Sequence, residues 1–219
     1  MRFNRAILAT CLVLASCGSR KTMPVTVEPF YDSNGCRIAV GKFSDALAAK
    51  DKASLLKTIA TMKEEWPELT AEAMYVAAIR LYDFGLKDES VYWFYSAQYR
   101  ARLTRGLLDP QRVNAVGNPA TALVQAHEAF LKQANPYING YAFGDIEKLL
   151  KTVAQVQVEG ARLPSLKELY PTVSFIEESR WQKVNYELST GFSEYMQTIR
   201  ATADSIRAQR KASGIEGRY

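Results

Sequence analysis

Histidine and cysteine are rare in this chain, with one histidine and three cysteines among 219 residues. The single histidine, His127, excludes every metal site that needs two imidazole ligands. The residues after it do not complete the zinc-protease motif, because Leu131 stands where the second histidine is required. We therefore predict no metal and no cofactor.

Long apolar runs and a strong charge of one sign are lacking as well. The stretch from Ala6 to Ala15 contains Thr10 and Cys11 and is far shorter than the roughly 18–20 residues that cross a bilayer. The chain has 28 basic residues against 23 acidic ones, a formal net charge of +5. Nucleic-acid binding needs a concentrated basic face. The composition therefore argues against a membrane-spanning helix and predicts no nucleic-acid partner.

The beginning of the chain has the three parts of an export signal. Arg2 and Arg5 precede the apolar stretch, and small residues follow it. The junction Leu14-Ala15-Ser16-Cys17 resembles the bacterial lipobox, in which an aliphatic and two small residues precede an acylated cysteine. The resemblance implies that residues 1–16 are a lipoprotein signal peptide and that Cys17 becomes the lipid-bearing residue.

Acylation of Cys17 predicts where the protein is found. Each buried methylene of the acyl chains contributes about 0.8 kcal/mol, so several chains anchor the protein firmly. Lipoproteins of this kind that stay in the inner membrane of Gram-negative bacteria commonly have Asp after the cysteine, and here Gly18 follows. We expect a lipid-anchored protein of the cell envelope that faces the periplasm, at the outer rather than the inner membrane. With Cys11 removed and Cys17 acylated, Cys36 alone would keep a thiol, so no intramolecular disulfide is expected.

Proline, glycine and helical periodicity divide the rest of the chain. Residues 17–42 contain Pro24, Pro29 and Asn34-Gly35, which predicts a lipidated tether with short extended pieces. Residues 43–212 carry helical patterns and caps, and residues 213–219 are expected to fray. The predicted helices are 44–66, 70–84, 89–104, 119–135, 146–160, 174–190 and 192–211. The fold prediction is all-α, a single irregular helical domain of about seven helices built from helical hairpins.

The helix predicted over 89–104 has apolar residues on all of its faces, which is typical of a helix buried between neighbours. Small residues in the helix before it allow close approach, and Gly85 makes the connection short. The pattern is carried by Ala77, Leu81-Tyr82, Gly85, Asp88, Tyr92-Trp93 and Ala97. It resembles a tetratricopeptide or Sel1-type hairpin over residues 71–105, a family whose stacked hairpins bind protein ligands. A second copy at the repeat period is lacking, so we expect one hairpin within an irregular bundle rather than a solenoid.

Aromatic and basic side chains are the candidate partner-binding residues, because such residues are enriched at protein interfaces. They come from the second helix of the hairpin and from an aromatic-rich loop predicted over 135–144. The candidates are Tyr92, Tyr95, Tyr99, Arg100, Arg102, Tyr137 and Tyr141. The arginines have a second interpretation, since cations are favoured near the C-terminal end of a helix.

Three functional hypotheses follow from these patterns. The first is a non-enzymatic protein-binding or scaffolding lipoprotein, with an immunity or inhibitor protein against a secreted toxin as one version. The second is a periplasmic hydrolase with a site around His127, together with Asp109 or Asp145. The third is a structural component of the envelope. A deep polar pocket at His127 would favour the hydrolase, and a histidine in a packed core with an aromatic surface elsewhere would favour binding.

Overall fold

The computed structural model describes residues 40–113, 117–216 and 219. These ranges contain no β-strand, and a lone bridge joins Leu108 to Phe175. The α-helices are α1 (Ser44–Leu47), α2 (Lys52–Glu64), α3 (Ala71–Asp83), α4 (Lys87–Leu107), α5 (Pro119–Ala142), α6 (Ile146–Gly160), α7 (Leu166–Leu169), α8 (Trp181–Ala201) and α9 (Ala203–Ala212). Seven helices in the described ranges have ten or more residues. The predicted all-α fold class is confirmed.

Helices α3 and α4 form the predicted hairpin. Thr70 caps α3 by accepting a hydrogen bond from the backbone N–H of Ala73. At the other end, Gly85 adopts a φ of 77°, and the N–H of Leu86 donates to the carbonyl of Leu81 at 2.9 Å. A glycine in the left-handed region with this bond is a common end of a helix. Ser90 joins the two helices, since its Oγ donates to the carbonyl of Ala78 at 2.7 Å.

Helix α4 is the centre of the molecule. It contacts α3, α5, α6 and α8, and almost its whole surface is covered. Residues from every face of the helix are buried, among them Val91, Tyr92, Trp93, Phe94, Tyr95, Ala97, Tyr99, Leu103 and Leu107. Leu103 and Leu107 belong to a smaller cluster of buried side chains that includes Trp181 and Tyr170. The prediction that this helix is buried between neighbours is confirmed.

Helix α5 is longer than predicted. The expected loop over 135–144 is wrong, because the helix continues through Pro136 to Ala142. Proline removes one backbone hydrogen bond and is costly inside a helix, by about 3 kcal/mol. Packing offsets this cost: Ala134 and Ile138 are completely buried on either side of the proline. The local turn signal was therefore overridden by tertiary contacts.

Two further helix boundaries differ from the prediction. The first predicted helix is interrupted after Leu47, and α2 begins where the carboxylate of Asp51 accepts from the N–H of Ser54 at 2.8 Å. At the other end of the chain, α8 begins at Trp181 and passes through Gly191 to Ala201. Glycine was expected to end that helix, but the helix continues because buried side chains follow at helical spacing. Those side chains are Phe192, Met196 and Ile199.

Two glycine-to-alanine changes test the role of the turn between α3 and α4. Gly85→Ala should lower the free energy of unfolding by about 1 kcal/mol, because a Cβ is strained at positive φ. Gly191→Ala is the matched control, since Gly191 lies inside α8 and a Cβ there would meet nothing within 4 Å. It should be neutral or stabilising by up to about 1 kcal/mol. Urea unfolding followed by circular dichroism measures both, and equal effects would contradict this account of the turn.

Candidate functional site

Two adjoining hollows lie where the end of α5 meets the beginnings of α4 and α6 and the helix α9. One has a volume of about 280 Å³ and the other about 360 Å³. Arg210 and Tyr219 line both hollows. We call the two together the tyrosine groove. Its other lining residues include Asp88, Tyr141, Asp145 and Lys148 on one side and Asn139, Gly140, Phe143 and Ile206 on the other.

Tyr141 is fixed at one wall of the tyrosine groove by a charged pair. Its hydroxyl donates to Oδ1 of Asp88 at 2.7 Å, and Nζ of Lys148 lies 2.6 Å from Oδ2 of the same carboxylate. The hydrogen bond from Lys148 is the main cause that lowers the pKa of Asp88. Burial, with the bond to Asp88, raises the pKa of Tyr141 to about 12. Asp88 is thus ionised and Tyr141 is protonated at neutral pH.

Lys87 lies between two tyrosine rings beside this wall. Its Nζ is 5.4 Å from the centre of the Tyr82 ring and 5.3 Å from that of Tyr141. Tyr137 packs edge-on against Tyr82, with the ring centres 6.4 Å apart. Cations over tyrosine faces gain about 0.5–1 kcal/mol at exposed positions. The predicted binding residues Tyr137 and Tyr141 are one helical turn apart and both lie partly exposed in this region.

Gly140 forms a bare stretch of backbone in the floor of the groove, and the ring of Tyr219 covers it. A Cβ at Gly140 would lie only 2.6–2.8 Å from three atoms of that ring. No heavier residue fits there while the ring stays in place, because carbon atoms do not approach so closely. The floor of the groove is therefore shaped to receive a flat aromatic side chain.

The remaining predicted tyrosines are not at the surface. Tyr92, Tyr95 and Tyr99 are between 0% and 6% exposed. The hydroxyl of Tyr92 donates to Glu159, that of Tyr95 to Asn139 at 2.9 Å and that of Tyr99 to Asn185 at 2.9 Å. Their assignment to a partner surface is corrected: they fill the core, and their hydroxyl groups find acceptors inside the protein. A helix whose aromatic residues are buried on all faces exposes no aromatic side chain to a partner.

Arg100 and Arg102 have opposite environments. Arg100 is completely buried and donates to the carbonyls of Trp66, Pro67 and Leu69 at 3.1, 3.1 and 2.7 Å. Its guanidinium also stacks on the Trp66 ring, 4.6 Å from the centre. Burial lowers the pKa of Arg100 to about 10, so the group stays charged at neutral pH. Arg100 is thus a structural residue, which corrects its assignment to a partner surface.

Arg102 is exposed, and its guanidinium lies 5.1 Å from the centre of the Phe192 ring. This position is on the α8 side of the molecule and away from the residues that line the tyrosine groove. Of the seven predicted residues, the structure therefore brings together Tyr137 and Tyr141.

The residues that complete the groove were missed. Asp88, Gly140, Lys148, Arg210 and Tyr219 come from four separate segments of the chain. The helical spacing of Tyr137 and Tyr141, continued over Gly140, was the signal in the sequence. It was hidden because the Asn-Pro pair at 135–136 was interpreted as the end of the helix.

His127 belongs to a second polar cluster, which is buried. Its Nε2 lies 3.2 Å from Oε1 of Glu72, and the hydroxyl of Tyr170 donates to Oε2 of Glu72 at 2.7 Å. The backbone N–H of Ala71 donates in turn to the Tyr170 oxygen at 3.2 Å. His127 is 7% exposed and Glu72 is 2% exposed. The cleft beside His127 has a volume of only about 70 Å³.

The signal peptide, Cys17 and the tether up to residue 39 lie outside the described residues, so lipidation stays a prediction from the sequence. In the described part, no helix is long and apolar enough to cross a membrane. Those same residues contain no cluster of three or more His, Cys, Asp or Glu side chains that could hold a metal ion.

Comparison with known proteins gives one distant relative. A protein of Haemophilus influenzae described as uncharacterized is 28% identical over 148 residues. The match covers 64% of this chain and 55% of the relative, so the chain spans about half of that protein's length. No protein-family model matches the chain, and no solved structure matches it.

Arginine-to-lysine changes separate the structural arginine from the exposed one. Arg100→Lys should lower the free energy of unfolding by about 2–3 kcal/mol, because an ammonium cannot satisfy three carbonyls and stack on Trp66 as the flat guanidinium does. Arg102→Lys, two residues along the same helix, should stay within about 0.5 kcal/mol of the unchanged protein. Urea unfolding measures both values. A change below about 0.5 kcal/mol at Arg100 would contradict its structural role.

Proposed function

We propose that this chain is a membrane-anchored lipoprotein that acts as a non-enzymatic protein-binding module, with the tyrosine groove as its contact surface. The anchor is the acylated Cys17, and the domain faces the periplasm, at the outer membrane. The partner is another envelope protein or a secreted toxin, in which case the chain is an immunity or inhibitor protein.

The observation that carries the proposal is the composition of the tyrosine groove. Tyr141, Tyr219 and Arg210 line the groove, and Lys87 contacts the face of the Tyr141 ring beside it. Tyrosine and arginine are the residues that most often dominate the energy of protein interfaces. The hydroxyl of Tyr141 is already bonded to Asp88, so this side chain loses less conformational freedom on binding than a free one would, which favours affinity.

The lipobox resemblance supports the anchor and the location. The lipid chains would hold the domain at the membrane, and residues 17–42 would give it reach. Gly18 in place of Asp supports the outer membrane. Export and anchoring suit a small binding domain without a recognised catalytic site, because they place it at the membrane surface where its partner would be.

The geometry at His127 gives less support to a hydrolase. The histidine is bonded to a buried carboxylate that also accepts from Tyr170, which is the pattern of a satisfied core histidine. A cleft of about 70 Å³ has room for two or three water molecules, against the several hundred Å³ of ordinary ligand pockets. A structural envelope component gains no support either. Among the described residues, four large apolar side chains are exposed, Leu56 of α2, Val158 of α6 and Tyr186 and Tyr195 of α8, and so small a number argues against an extended apolar assembly face.

Site-specific photo-cross-linking in intact cells tests the proposal. A photoreactive residue at Gln209, which lines the groove, should give one reproducible cross-linked protein. The control position is Lys57, an exposed residue of α2, from which that product should be absent. Mass spectrometry identifies the partner. Identical products from both positions, or no product from Gln209, would refute the groove as a binding surface.

The anchor is tested in the same cells. An alkyne-labelled fatty acid should be incorporated into the full chain and not into the Cys17→Ala variant, and the cross-link from Gln209 should fall at least several-fold in that variant. Equal labelling of both chains would show that Cys17 is not the lipidated residue.

A further inference from the structure

The seat of Tyr219 is specific for an aromatic ring. Gly140 leaves its backbone bare, and the ring lies directly on it. The ring of Tyr82, a second buried aromatic side chain, is close enough that Tyr219 contributes to raising its pKa, after burial as the main cause. An aromatic ring placed on Gly140 makes contact over its whole flat face, and a branched aliphatic side chain would make less contact there.

The tail that supplies Tyr219 is attached weakly to the rest of the protein. Helix α9 has no buried residue, and after it the chain turns at Gly214, where the N–H of Ile215 donates to the carbonyl of Arg210 at 3.0 Å. Ala203 and Ile206 are its partly buried contacts with the main core. Segments with few buried apolar contacts open at low free energy. The seat can therefore be vacated without unfolding the domain.

The space around the seat is larger than one ring. The hollows of about 280 and 360 Å³ lie to either side of Tyr219 and Arg210, and both are open to solvent. A peptide that placed an aromatic residue on Gly140 would have room for its neighbouring residues in these hollows.

The charges of the groove favour an anion. The carboxylate of Asp88 is paired with Lys148, and that of Asp145 accepts from the N–H of Lys148 as the cap of α6. Arg210 lines both hollows, and its guanidinium makes no hydrogen bond or ion pair with the described residues. Lys87 contacts the faces of two tyrosines. Among the residues that line the larger hollow, Arg210 alone has a charged side chain, so an anionic group is favoured there.

We infer that the tyrosine groove binds a segment of a partner protein that carries a tyrosine next to an acidic residue, with the partner's tyrosine on Gly140 in place of Tyr219 and its carboxylate at Arg210. The inference rests on the proposed function and names the chemistry of its partner. Tyr219 is then an internal stand-in for the ligand and lowers the affinity of the resting protein.

Peptide binding to the full chain, purified in detergent, tests the inference. The probe is a fluorescent peptide with the sequence of residues 213–219, in which Arg218 is replaced by Glu. By fluorescence anisotropy it should bind the Tyr219→Ala variant at least about tenfold more tightly than the unchanged chain, whose own tail competes. A probe with alanine in place of the tyrosine should lose at least about tenfold in affinity.

Two variants, each combined with Tyr219→Ala, test the seat and the charge. Gly140→Ala should abolish binding of the probe, and alanine is the better helix former, so the fold is kept. Gly191→Ala is the matched control and should bind as the parent does. Arg210→Gln should remove the preference for the Glu-containing probe over one that keeps the arginine.

The outcomes are distinct. The inference is overturned if the probe without tyrosine binds as tightly as the probe with it, or if the probe still binds the Gly140→Ala variant. A dimer of the unchanged chain that dissociates on Tyr219→Ala, seen by light scattering, also overturns it, because the occupant would then be a second copy. If the probe does not bind while the cross-link from Gln209 persists, the inferred chemistry of the partner is wrong but the groove is still a binding surface. If the probe does not bind and the cross-link is absent as well, the proposed function fails too.

Discussion

Burial of α4 on all of its faces is the constraint on which the rest of the structure depends. Because α3, α5, α6 and α8 cover most of this helix, many of its polar side chains are shielded from water, and burial of a polar group is costly unless it finds a hydrogen-bond partner inside the protein. Ser90 bonds back to α3, Tyr99 bonds to Asn185 of α8, and Arg100 satisfies the carbonyls of the turn before α3. These bonds fix the positions of the surrounding helices as specifically as the apolar contacts do.

The burial of α4 also means that the proposed contact surface lies at the edge of the molecule. Because the aromatic residues of α4 fill the core, the proposed contact surface consists of side chains near the ends of the surrounding helices. The tyrosine groove forms where α5 ends, where α4 and α6 begin, and where α9 crosses over. One wall carries the hydrogen-bonded side chains Tyr141, Asp88 and Lys148 on helices of the core, whereas the other wall belongs to α9, which has no buried residue. A groove with one wall on the core and another on a weakly packed helix suits the binding of a partner.

Sequence reasoning reached the fold class and most helices because caps and helical periodicity are local properties. Asp145, at the beginning of the helix predicted over 146–160, caps α6 by accepting from the N–H of Lys148. The errors came where long-range packing outweighed a local signal, at Pro136 inside α5 and at Gly191 inside α8. For the site, Tyr137 and Tyr141 were identified, but the burial of Tyr92, Tyr95 and Tyr99 in α4 was not, because a helix that is apolar all round has no outward face in its sequence. The fold brings together Gly140, Arg210 and Tyr219, and no spacing in the sequence predicts this contact.

The central claim is that a rigid, α4-centred core carries a groove whose α9 wall opens on its own. Hydrogen exchange of the full chain, read by mass spectrometry at peptide resolution, tests it most directly. We expect the amides of α4 to be the slowest to exchange and those of α9 to exchange at least about a hundredfold faster, because α9 opens without the core. Equal protection of α9 and α4 would contradict the account, since Tyr219 would then be a fixed part of the fold rather than a displaceable occupant of the groove.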